Sequence, residues 1–341
     1  MKAIEITEPG KIKLSELEKP TPNSGEVLLQ VKRVGYCGSD LGAFRGANPM
    51  VTYPRVPGHE IGATIAELGP DCGDWAVGQD VLVIPYSNAN CGTCAACLKG
   101  RPNCCMKNET LGVQCDGALC EFFVTPIEKL IASEKLSLAQ LALVEPLTVG
   151  FHAVRRGEVT QPDTVAVIGC GAIGLGVISG ANFRGANVIA IDIEDSKSSV
   201  ATACGAHHFV NSGAENFEQL LAELTNGHGP DVIIEAVGHP ATYRMAIEQV
   251  AFAGRVVYIG WSKGPVEYDT KYFVMKELDI RGSRNAAPQD FRDVISMLEQ
   301  GTFPMDAVIT KTVSLSEAPD AMNGWDADPA SICKIQIDLE A

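Results

Sequence analysis

The sequence predicts an α/β protein that combines a β-rich domain with a doubly wound parallel sheet. Two observations support this prediction. Residues 1–150 contain short segments of alternating polarity separated by turns rich in Pro and Gly, a pattern typical of a small antiparallel or barrel-like β domain. From Thr164 onward, buried strand-like segments alternate with helical segments, a pattern typical of a parallel sheet with helices on both faces.

Composition and charge limit the classes of protein to which this chain can belong. It has 341 residues, of which 46% are hydrophobic and 20% charged, as expected for a globular protein of two or three domains. The net charge of −15, without a basic run, argues against nucleic acid and anionic membranes as partners. Because no apolar run follows Met1 and no segment is typical of a bilayer span, we expect a cytoplasmic protein.

The β-rich half should contain several strands connected by loops. The segments with strand-like character are residues 12–14, 27–32, 61–68, 81–85 and 121–124. Loops often carry functional residues because the flanking strands hold them rigidly. The loops between the second and third of these segments contain a candidate metal site.

A thiol and an imidazole on these loops are residue types that bind zinc. Cys37 lies 22 positions before His59, with Ser39 and Asp40 close to the thiol and Glu60 directly after the imidazole. Zinc is bound by Cys sulfur, His nitrogen and carboxylate oxygen, and a catalytic site leaves one position to water or substrate. Taken alone, such a pair is more often unrelated, so further ligands must support the interpretation.

A candidate third ligand is Glu145, in an apolar helical pattern over residues 136–156 that Pro146 is expected to interrupt. Burying an unpaired carboxylate costs several kcal/mol, so Glu145 should have a partner. One interpretation pairs it with Arg155 or Arg156. The other makes it the third ligand of the metal held by the thiol and the imidazole.

The cysteines predict a second metal site. Twelve cysteines are many for a reducing compartment, and five of them fall within residues 91–105. The four whose spacings of three, three and eight residues can surround one zinc ion are Cys91, Cys94, Cys97 and Cys105. Four thiolates leave no open position, which indicates a structural site rather than a chance cluster, and Cys104 is expected to be a bystander. The lobe, residues 88–108, has almost no apolar residues, so metal binding should supply its folding energy.

The second half opens with a dinucleotide-binding fingerprint. A strand from Thr164 leads into G-x-G-x-x-G, whose glycines are Gly169, Gly171 and Gly174, and a helix follows. The first glycine permits the turn, the second lets the backbone approach a pyrophosphate, and the third lets the helix lie on the sheet. The helix N-terminus, with Ala172 and Ile173, should then face the phosphates.

An acidic residue in the expected place indicates which dinucleotide binds. Asp192 ends the next strand, 18 residues after the last glycine, and should accept hydrogen bonds from the adenosine ribose. Glu194 and Asp195 add negative charge that repels a 2′-phosphate, whereas Lys197 is the one nearby residue that argues the other way. We therefore expect NAD rather than NADP.

The remaining strands complete a six-stranded parallel sheet. The predicted strands cover residues 208–210, 232–236, 256–260 and 278–282, with helices over 216–226 and 241–251 between them. Ligands of such sheets lie at the carboxyl ends of the strands. The residues expected to border the nicotinamide are Val237, Ile259 and Gly260, with Gly238 and Trp261 beside them. A helix over 289–300 follows, and the strand-like residues 332–339 are expected to rejoin the first domain.

Together these motifs resemble the zinc-dependent medium-chain dehydrogenases, the family of alcohol, sorbitol and threonine dehydrogenases. The likeness covers nearly the whole chain, and the motifs stand in the order of the family. It implies a GroES-like catalytic domain over residues 1–150, a Rossmann NAD-binding domain over 151–285 and a return to the catalytic domain over 286–341. It also implies an active site in the cleft between the domains, two zinc ions per chain, and a homo-oligomer, either a tetramer or a dimer.

The resemblance also assigns roles to the first metal site. The implied zinc ligands are Cys37, His59 and Glu145, and Glu60 would bind the metal or its water alternately. Asp40 would orient the ligating imidazole, which metal-bound histidines commonly require, and Ser39 would accept the proton of the alcohol. Several relatives have a histidine five residues after the metal cysteine, where this chain has Gly42. The proton would therefore leave through water or a ribose hydroxyl.

The substrate is predicted from a loop near residue 284. Residues 282–291 look like the matching loop of bacterial sugar-acid dehydrogenases, which oxidise a secondary hydroxyl of compounds such as galactonate or gluconate. Arg284, beside Asn285, is the candidate for the substrate carboxylate, because a guanidinium binds a carboxylate through two parallel bonds; Arg45 and Lys263 are weaker candidates. Alternatively, Arg284 stabilises the bound cofactor or a junction between domains and does not contact the substrate. A polyol or threonine dehydrogenase remains the other enzymatic reading, and a non-catalytic dinucleotide-binding protein is the alternative of a different class.

Overall fold

The structure, a computed structural model, describes residues 1–86 and 90–341. Residues 88 and 89, where the predicted lobe begins, lie outside the described residues. The strands are β1 (Lys2–Glu8), β2 (Lys11–Glu16), β3 (Glu26–Tyr36), β4 (Glu60–Leu68), β5 (Asp80–Val83), β6 (Phe122–Pro126), β7 (Leu130–Ala132), β8 (Thr164–Ile168), β9 (Asn187–Asp192), β10 (His208–Asn211), β11 (Val232–Glu235), β12 (Arg255–Tyr258), β13 (Asp279–Gly282), β14 (Ile309–Ser314) and β15 (Lys334–Asp338).

Helices of very different length connect these strands. They are α1 (Gly38–Phe44), α2 (Ala95–Leu98), α3 (Leu138–Arg156), α4 (Ala172–Phe183), α5 (Ser198–Ala203), α6 (Phe217–Leu224), α7 (Pro240–Gln249), α8 (Lys271–Met275), α9 (Pro288–Leu298), α10 (Met305–Val308) and α11 (Ala318–Ala327). Over the two described ranges, none of these helices combines the length and the apolar character that crossing a membrane requires.

The chain divides into two compact units, one formed by Met1–Glu145 with Val308–Ala341 and the other by Pro146–Ala307. In the first unit, the main sheet has the order β14-β15-β3-β4-β5-β7, with β6 paired to β3, and β1 pairs with β2 in a separate ribbon. Apart from the parallel pair β14 and β15, its neighbours run antiparallel. The β-rich prediction for this half is therefore confirmed.

The register of β3 decides what surrounds the candidate metal site. Gly35 lies opposite Glu60 of β4, and Tyr36 lies opposite Ile335 of β15. Because β3 is central, strands from residues far apart in the sequence meet around its carboxyl end. The next residue in the chain is Cys37, so the register places the thiol where these strands converge.

Two local predictions for this unit differ from the structure. Residues 38–44, predicted as loop, form helix α1, because Asp40 accepts a hydrogen bond from the backbone N–H of Cys37 and caps the first turn. Helix α3 runs without interruption from Leu138 to Arg156, although Pro146 lies inside it. Proline removes one helical hydrogen bond and disfavours a helix interior, but packing of the buried residues on both sides outweighs this local preference.

The second unit contains one parallel sheet with the strand order β10-β9-β8-β11-β12-β13. All its neighbours are paired in parallel. Written in chain order, this is 3-2-1-4-5-6, the order of dinucleotide-binding folds. Its central strands are buried on both faces, including all four residues of β11. The doubly wound prediction is confirmed.

The return to the first unit occurs at Val308 and not at residue 286 as expected from the sequence. The reason is the packing of α9. Asp290, fully buried in its first turn, accepts hydrogen bonds from Ala287 and from Arg155, and its carboxylate lies 2.9 Å from Nδ1 of His152. These contacts connect α9 to the second half of α3, so the helix belongs to the second unit.

Candidate functional site

The structure brings three predicted ligands together in the first unit. One donor atom each from Cys37, His59 and Glu60 lies within 4.8 Å of the others. We call these three residues the mixed-ligand site. His59 and Glu60 are buried, and Cys37 is partly buried. A sulfur, a nitrogen and an oxygen at this separation are a donor set suited to zinc.

Asp40 connects the two loops that supply this site. Its Oδ2 accepts a hydrogen bond from Cys37 N at 2.8 Å, and its Oδ1 accepts one from Gly58 N at 3.3 Å. Oδ1 also lies 3.9 Å from Nδ1 of His59, which is too far for a hydrogen bond. This fully buried carboxylate thus fixes the backbone on both sides of the site rather than binding the imidazole directly.

The loop before His59 packs closely against the segment around Gly117, and glycines at the contact make this possible. Gly58 has φ +98°, and a Cβ there would lie 2.8 Å from a methyl group of Val34. A Cβ on Gly117 would lie 2.3 Å from the carbonyl oxygen of Gly58. Gly117 N donates to Val56 O and Ala118 N donates to Gly58 O, at 2.7 and 2.9 Å. These contacts leave no room for side chains and set the direction of His59.

Glu60 is oriented by residues from two neighbouring strands. Its Oε1 accepts a hydrogen bond from Lys334 Nζ at 2.5 Å, and both side chains are almost completely buried. A Cβ on Gly35 would lie 1.8 Å from the other oxygen, Oε2, which has no hydrogen-bond partner. Burial raises the pKa of Glu60 to about 7, although the Lys334 ammonium opposes this shift. Lys334 also donates to the carbonyl oxygen of Tyr36 at 3.1 Å.

Glu145 lies outside the three-residue group but close to it. Its Oε1 accepts a hydrogen bond from the hydroxyl of Tyr86, and both residues are buried. Its negative charge contributes to raising the pKa of His59. Of the two arginines considered as partners, Arg155 instead donates to Asp290 and Arg156 donates to the carbonyl oxygen of Gly282.

The electrostatics of the mixed-ligand site fit a bound cation. Burial lowers the pKa of His59, but the charges of Asp40 and Cys37 outweigh it and raise this pKa well above its usual value. The surroundings thus favour positive charge at a buried position. Two buried atoms, Nδ1 of His59 and Oε2 of Glu60, have no hydrogen-bond partner. A zinc ion would supply the missing positive charge, so the residues present fit the metal.

The thiol lobe (residues 90–108) contains the second group of ligands, Cys91, Cys94, Cys97 and Cys105. The Sγ atoms of Cys94 and Cys97 are 3.5 Å apart, and those of Cys91 and Cys97 are 4.0 Å apart. The Sγ atom of Cys105 lies 3.6 Å from that of Cys91. With Zn–S bonds of about 2.3 Å, a tetrahedron has edges of roughly 3.8 Å. Donors from Thr93 lower the pKa of Cys91 to about 6, which favours the thiolate that a metal binds. Cys104 is not part of this group.

In the second unit, an added side chain would clash at two of the three fingerprint glycines. Gly169 has φ +97°, and a Cβ there would lie 2.6 Å from Val237. A Cβ on Gly174 would lie 1.7 Å from the carbonyl oxygen of Gly169, so only glycine lets the helix approach this closely. Gly171 is the N-cap of α4 and has open space in front of it. Ala172 and Ile173 form the first turn of α4, whose N–H groups can bind a phosphate.

Asp192 lies against this glycine loop. Its Oδ2 accepts a hydrogen bond from Cys170 N at 2.7 Å, and its Oδ1 accepts one from Glu194 N at 3.1 Å. The carboxylate therefore sits at the carboxyl ends of β8 and β9, beside the first turn of α4. That is the position from which an acidic residue can reach the ribose of a dinucleotide.

Glu235, which the sequence analysis left without a role, organises the loops that contain Val237, Ile259 and Gly260. Its Oε1 accepts hydrogen bonds from Val237 N and Gly238 N at 2.9 and 2.8 Å. Ile259 N and Gly260 N donate to its carbonyl oxygen at 2.9 and 3.2 Å. One buried residue thus joins the loops that follow β11 and β12. The signal was a carboxylate inside an otherwise apolar segment, a strand at Glu235 and a helix at Glu145.

The candidate substrate residues differ in their surroundings. Arg45 Nε lies 2.5 Å from a carboxylate oxygen of Asp326, so it already has an acidic partner. Asn285, in the turn after β13, has φ +53°, and its buried amide nitrogen has no hydrogen-bond partner. Its neighbour Arg284 is exposed.

Two further residues at the mixed-ligand site were missed by the sequence analysis. Tyr86 and Lys334 each hold one oxygen of a buried carboxylate, Glu145 and Glu60 respectively. Lys334 could have been noticed because it lies in the strand-like pattern of β15. A charged side chain that is buried in a strand requires a partner of opposite charge. No pattern around Tyr86 indicated its contact, because its partner lies 59 positions away.

Comparisons with known proteins agree with both units. The model of the alcohol dehydrogenase GroES-like domain matches residues 23–135, and that of the zinc-binding dehydrogenases matches residues 172–300. L-galactonate-5-dehydrogenase of Escherichia coli is 33% identical over 91% of each chain. Sorbitol dehydrogenase of Bacillus subtilis is 31% identical, covering 94% of this chain and 92% of that protein.

A solved structure gives the same result. A short chain alcohol dehydrogenase of Escherichia coli CFT073, in complex with the cofactor NADH, superposes with a TM-score of 0.92 at 34% identity and covers 99% of each chain. The fold, the two groups of metal ligands and these similarities lead to one conclusion. The chain belongs to the family of zinc-dependent alcohol dehydrogenases, and it is an oxidoreductase.

Proposed function

We propose that this dehydrogenase uses NAD to oxidise the secondary hydroxyl of a sugar acid of the galactonate or gluconate type. The observation that carries the proposal is the mixed-ligand site, a group of three different donors, two of them buried, with the negative charges of Asp40 and Glu145 acting on His59. The similarity to L-galactonate-5-dehydrogenase over 91% of the chain supports the choice of substrate class.

Cys37 and His59 would hold the catalytic zinc, with Glu145 as the third ligand and Glu60 as the alternate one. A bound zinc ion lowers the pKa of an alcohol and stabilises the negative charge that develops on its oxygen. Ser39 would accept the proton, because its hydroxyl oxygen is buried and has no hydrogen-bond partner. Gly42 cannot relay this proton, so we expect it to leave through water or a ribose hydroxyl.

Ser39→Ala tests this assignment. We expect turnover to fall by about 100-fold or more, as is typical when a group that moves a proton is removed, while the zinc content stays unchanged. Turnover near that of the unmodified enzyme would exclude Ser39 from proton transfer.

The second unit would bind NAD, which accepts the hydride. Gly169, Gly171 and Gly174 leave space for the pyrophosphate at the N-terminus of α4, and Asp192 would accept bonds from the adenosine ribose. Val237, Ile259 and Gly260 would border the nicotinamide. We expect Asp192→Ala to reduce the preference for NAD over NADP in kcat/KM, since the carboxylate repels a 2′-phosphate; an unchanged preference would contradict this assignment.

Arg284 and Asn285 would recognise the substrate carboxylate. The unpaired amide nitrogen of Asn285 supports the proposal, since a donor without a partner is suited to a carboxylate oxygen. Arg45 is the weaker candidate because Asp326 already pairs with it.

The test is a screen of NAD reduction over sugar acids, polyols, hexoses and threonine. We expect Arg284→Ala to lower kcat/KM for the acids while leaving the matching polyols unchanged. Equal losses for both would exclude recognition of the carboxylate by Arg284. Oxidation of polyols alone would favour the second candidate function, a polyol dehydrogenase, which the similarity to sorbitol dehydrogenase supports.

We also propose that the chain forms a dimer or tetramer. Among the strands of the described residues, β13 is the last in its sheet. Its Ile280 is 43% exposed, and Val274 and Met275 of the preceding helix α8 are 85% and 54% exposed. Contact with a second copy would cover this apolar surface. Light scattering should give the mass of an oligomer, and Ile280→Lys should reduce it.

A further inference from the structure

Tyr86 lies where the chain enters the thiol lobe, in a segment fixed by backbone contacts. It forms an isolated β-bridge with Thr110, which follows the lobe. Leu111 N donates to the carbonyl oxygen of Pro85 at 3.0 Å, and Lys129 Nζ donates to that of Tyr86 at 3.0 Å. Since both chain segments at the base of the lobe are held, the tyrosine ring starts from a fixed position.

From this position Tyr86 reaches a carboxylate far away in the sequence. Its hydroxyl donates to Oε1 of Glu145, and the two residues are 6% and 4% exposed. A hydrogen bond from a neutral hydroxyl to an ionised carboxylate is about twice as strong as one between neutral groups. Since both groups are shielded from water, water cannot easily replace the hydroxyl if it is removed.

We propose that Tyr86 is a positioning residue for the catalytic metal, because its hydroxyl fixes one oxygen of Glu145 and thereby sets how this carboxylate faces the mixed-ligand site. The inference rests on the proposed function, in which Glu145 is the third ligand. Glu145 follows a buried helical segment that fixes its backbone, so the orientation of its carboxylate depends on the contacts of the side chain. The hydrogen bond from Tyr86 restrains this orientation at one of the two carboxylate oxygens.

The test measures how tightly the metal is held. Zinc-loaded enzyme is mixed with an excess of a chromophoric zinc chelator, and the release of each ion is followed; the phase lost in Cys37→Ser belongs to the catalytic metal. We expect Tyr86→Phe to accelerate this phase by about 10-fold, as for other residues that orient a ligand. After exchange of this ion for Co²⁺, the visible absorption bands should shift, because the geometry of the ligands changes.

Two further variants separate positioning from a general effect. Tyr53→Phe removes a hydroxyl of the same unit that donates to the carbonyl oxygen of Ala43 at 2.5 Å, and it should leave the release phase unchanged. The double variant Tyr86→Phe/Glu145→Ala should release the metal no faster than Glu145→Ala alone, because the tyrosine acts through the glutamate.

The outcomes distinguish this inference from the proposed function. If Glu145→Ala accelerates release and Tyr86→Phe does not, the positioning role is wrong and Glu145 remains a ligand. If Glu145→Ala itself has no effect on release, Glu145 is not a ligand, so both its assignment in the proposed function and the positioning role of Tyr86 are wrong. Additive effects in the double variant, or an equal effect of Tyr53→Phe, would also overturn the positioning role.

Discussion

The thiol lobe and the mixed-ligand site belong to the same unit but are built in opposite ways. The lobe takes four identical ligands from one short segment, and its cysteines are for the most part only partly buried. The mixed-ligand site takes different ligands from segments 22 positions apart, and its buried carboxylate, Glu60, is paired with Lys334 from a distant strand. The first site depends on sequence spacing, whereas the second depends on the completed fold.

The two sites also differ in what stabilises their structure. A short segment with few apolar residues gains its order from the metal itself. Around the mixed-ligand site, contacts within the protein pair Glu60 with Lys334 and Glu145 with Tyr86. We therefore expect metal loss to unfold the lobe but to leave the backbone around the mixed-ligand site in place.

The largest expected effect concerns the lobe. Cys105→Ser should reduce the zinc content from two ions to one per chain and lose most of the roughly 10–16 kcal/mol that a structural zinc ion provides. Zinc determination and thermal unfolding measure both effects. Cys104→Ser is the matched control, since its thiol is not in the ligand group. Loss of zinc from the control instead would reverse the assignment of the two cysteines.

A smaller but still large effect is expected at the ion pair behind the mixed-ligand site. Lys334→Met leaves the carboxylate of Glu60 buried without its counter-charge, which should lower the free energy of unfolding by about 3–5 kcal/mol. Lys32→Met is the control, because Lys32 pairs at 2.7 Å with Glu340, whose side chain is 48% exposed, and such pairs contribute about 0–1 kcal/mol. Denaturant unfolding measures the free energy of unfolding of both variants. Similar decreases in the two variants would contradict the expectation that the buried ion pair contributes more than the exposed one.

The smallest expected effect comes from a single methyl group. Gly35→Ala places a Cβ 1.8 Å from Oε2 of Glu60, so Glu60 must move, at a cost of about 1–3 kcal/mol. The catalytic zinc should also be released faster. Gly324→Ala adds the same methyl group within α11, where nothing lies within 4 Å, and should stabilise the protein slightly. If Gly35→Ala left zinc release unchanged, the position of Glu60 would not matter to the metal.

The same contrast explains what the sequence could predict. The four cysteines of the lobe and the three glycines of the dinucleotide loop are local patterns, so their spacing alone predicted the groups that the structure brings together. The parallel, doubly wound character of the second sheet followed from the alternation of strands and helices. These features depend on residues close in the chain.

The rest depends on long-range pairing that no local pattern records. Lys334 meets Glu60 because β15 lies beside β3, and Tyr86 meets Glu145 because the base of the lobe is closed by Thr110. Helix α1 was missed because its seven residues are too few to show a helical pattern of apolar residues. The boundary near residue 286 was misplaced because the buried carboxylate of Asp290 connects α9 to Arg155 of α3. A polar residue in an apolar segment was the common warning at these places.

The long separation of Glu60 and Lys334 along the chain has a consequence for biosynthesis. Glu60 is synthesised 274 residues before Lys334, so at about 5–20 residues per second it is on the order of tens of seconds ahead of its counter-ion. The thiol lobe, whose first and last cysteines are 14 positions apart, can capture its ion while translation continues. The ion pair behind the mixed-ligand site can therefore form only after β15 has been synthesised, well after the ligands of the thiol lobe.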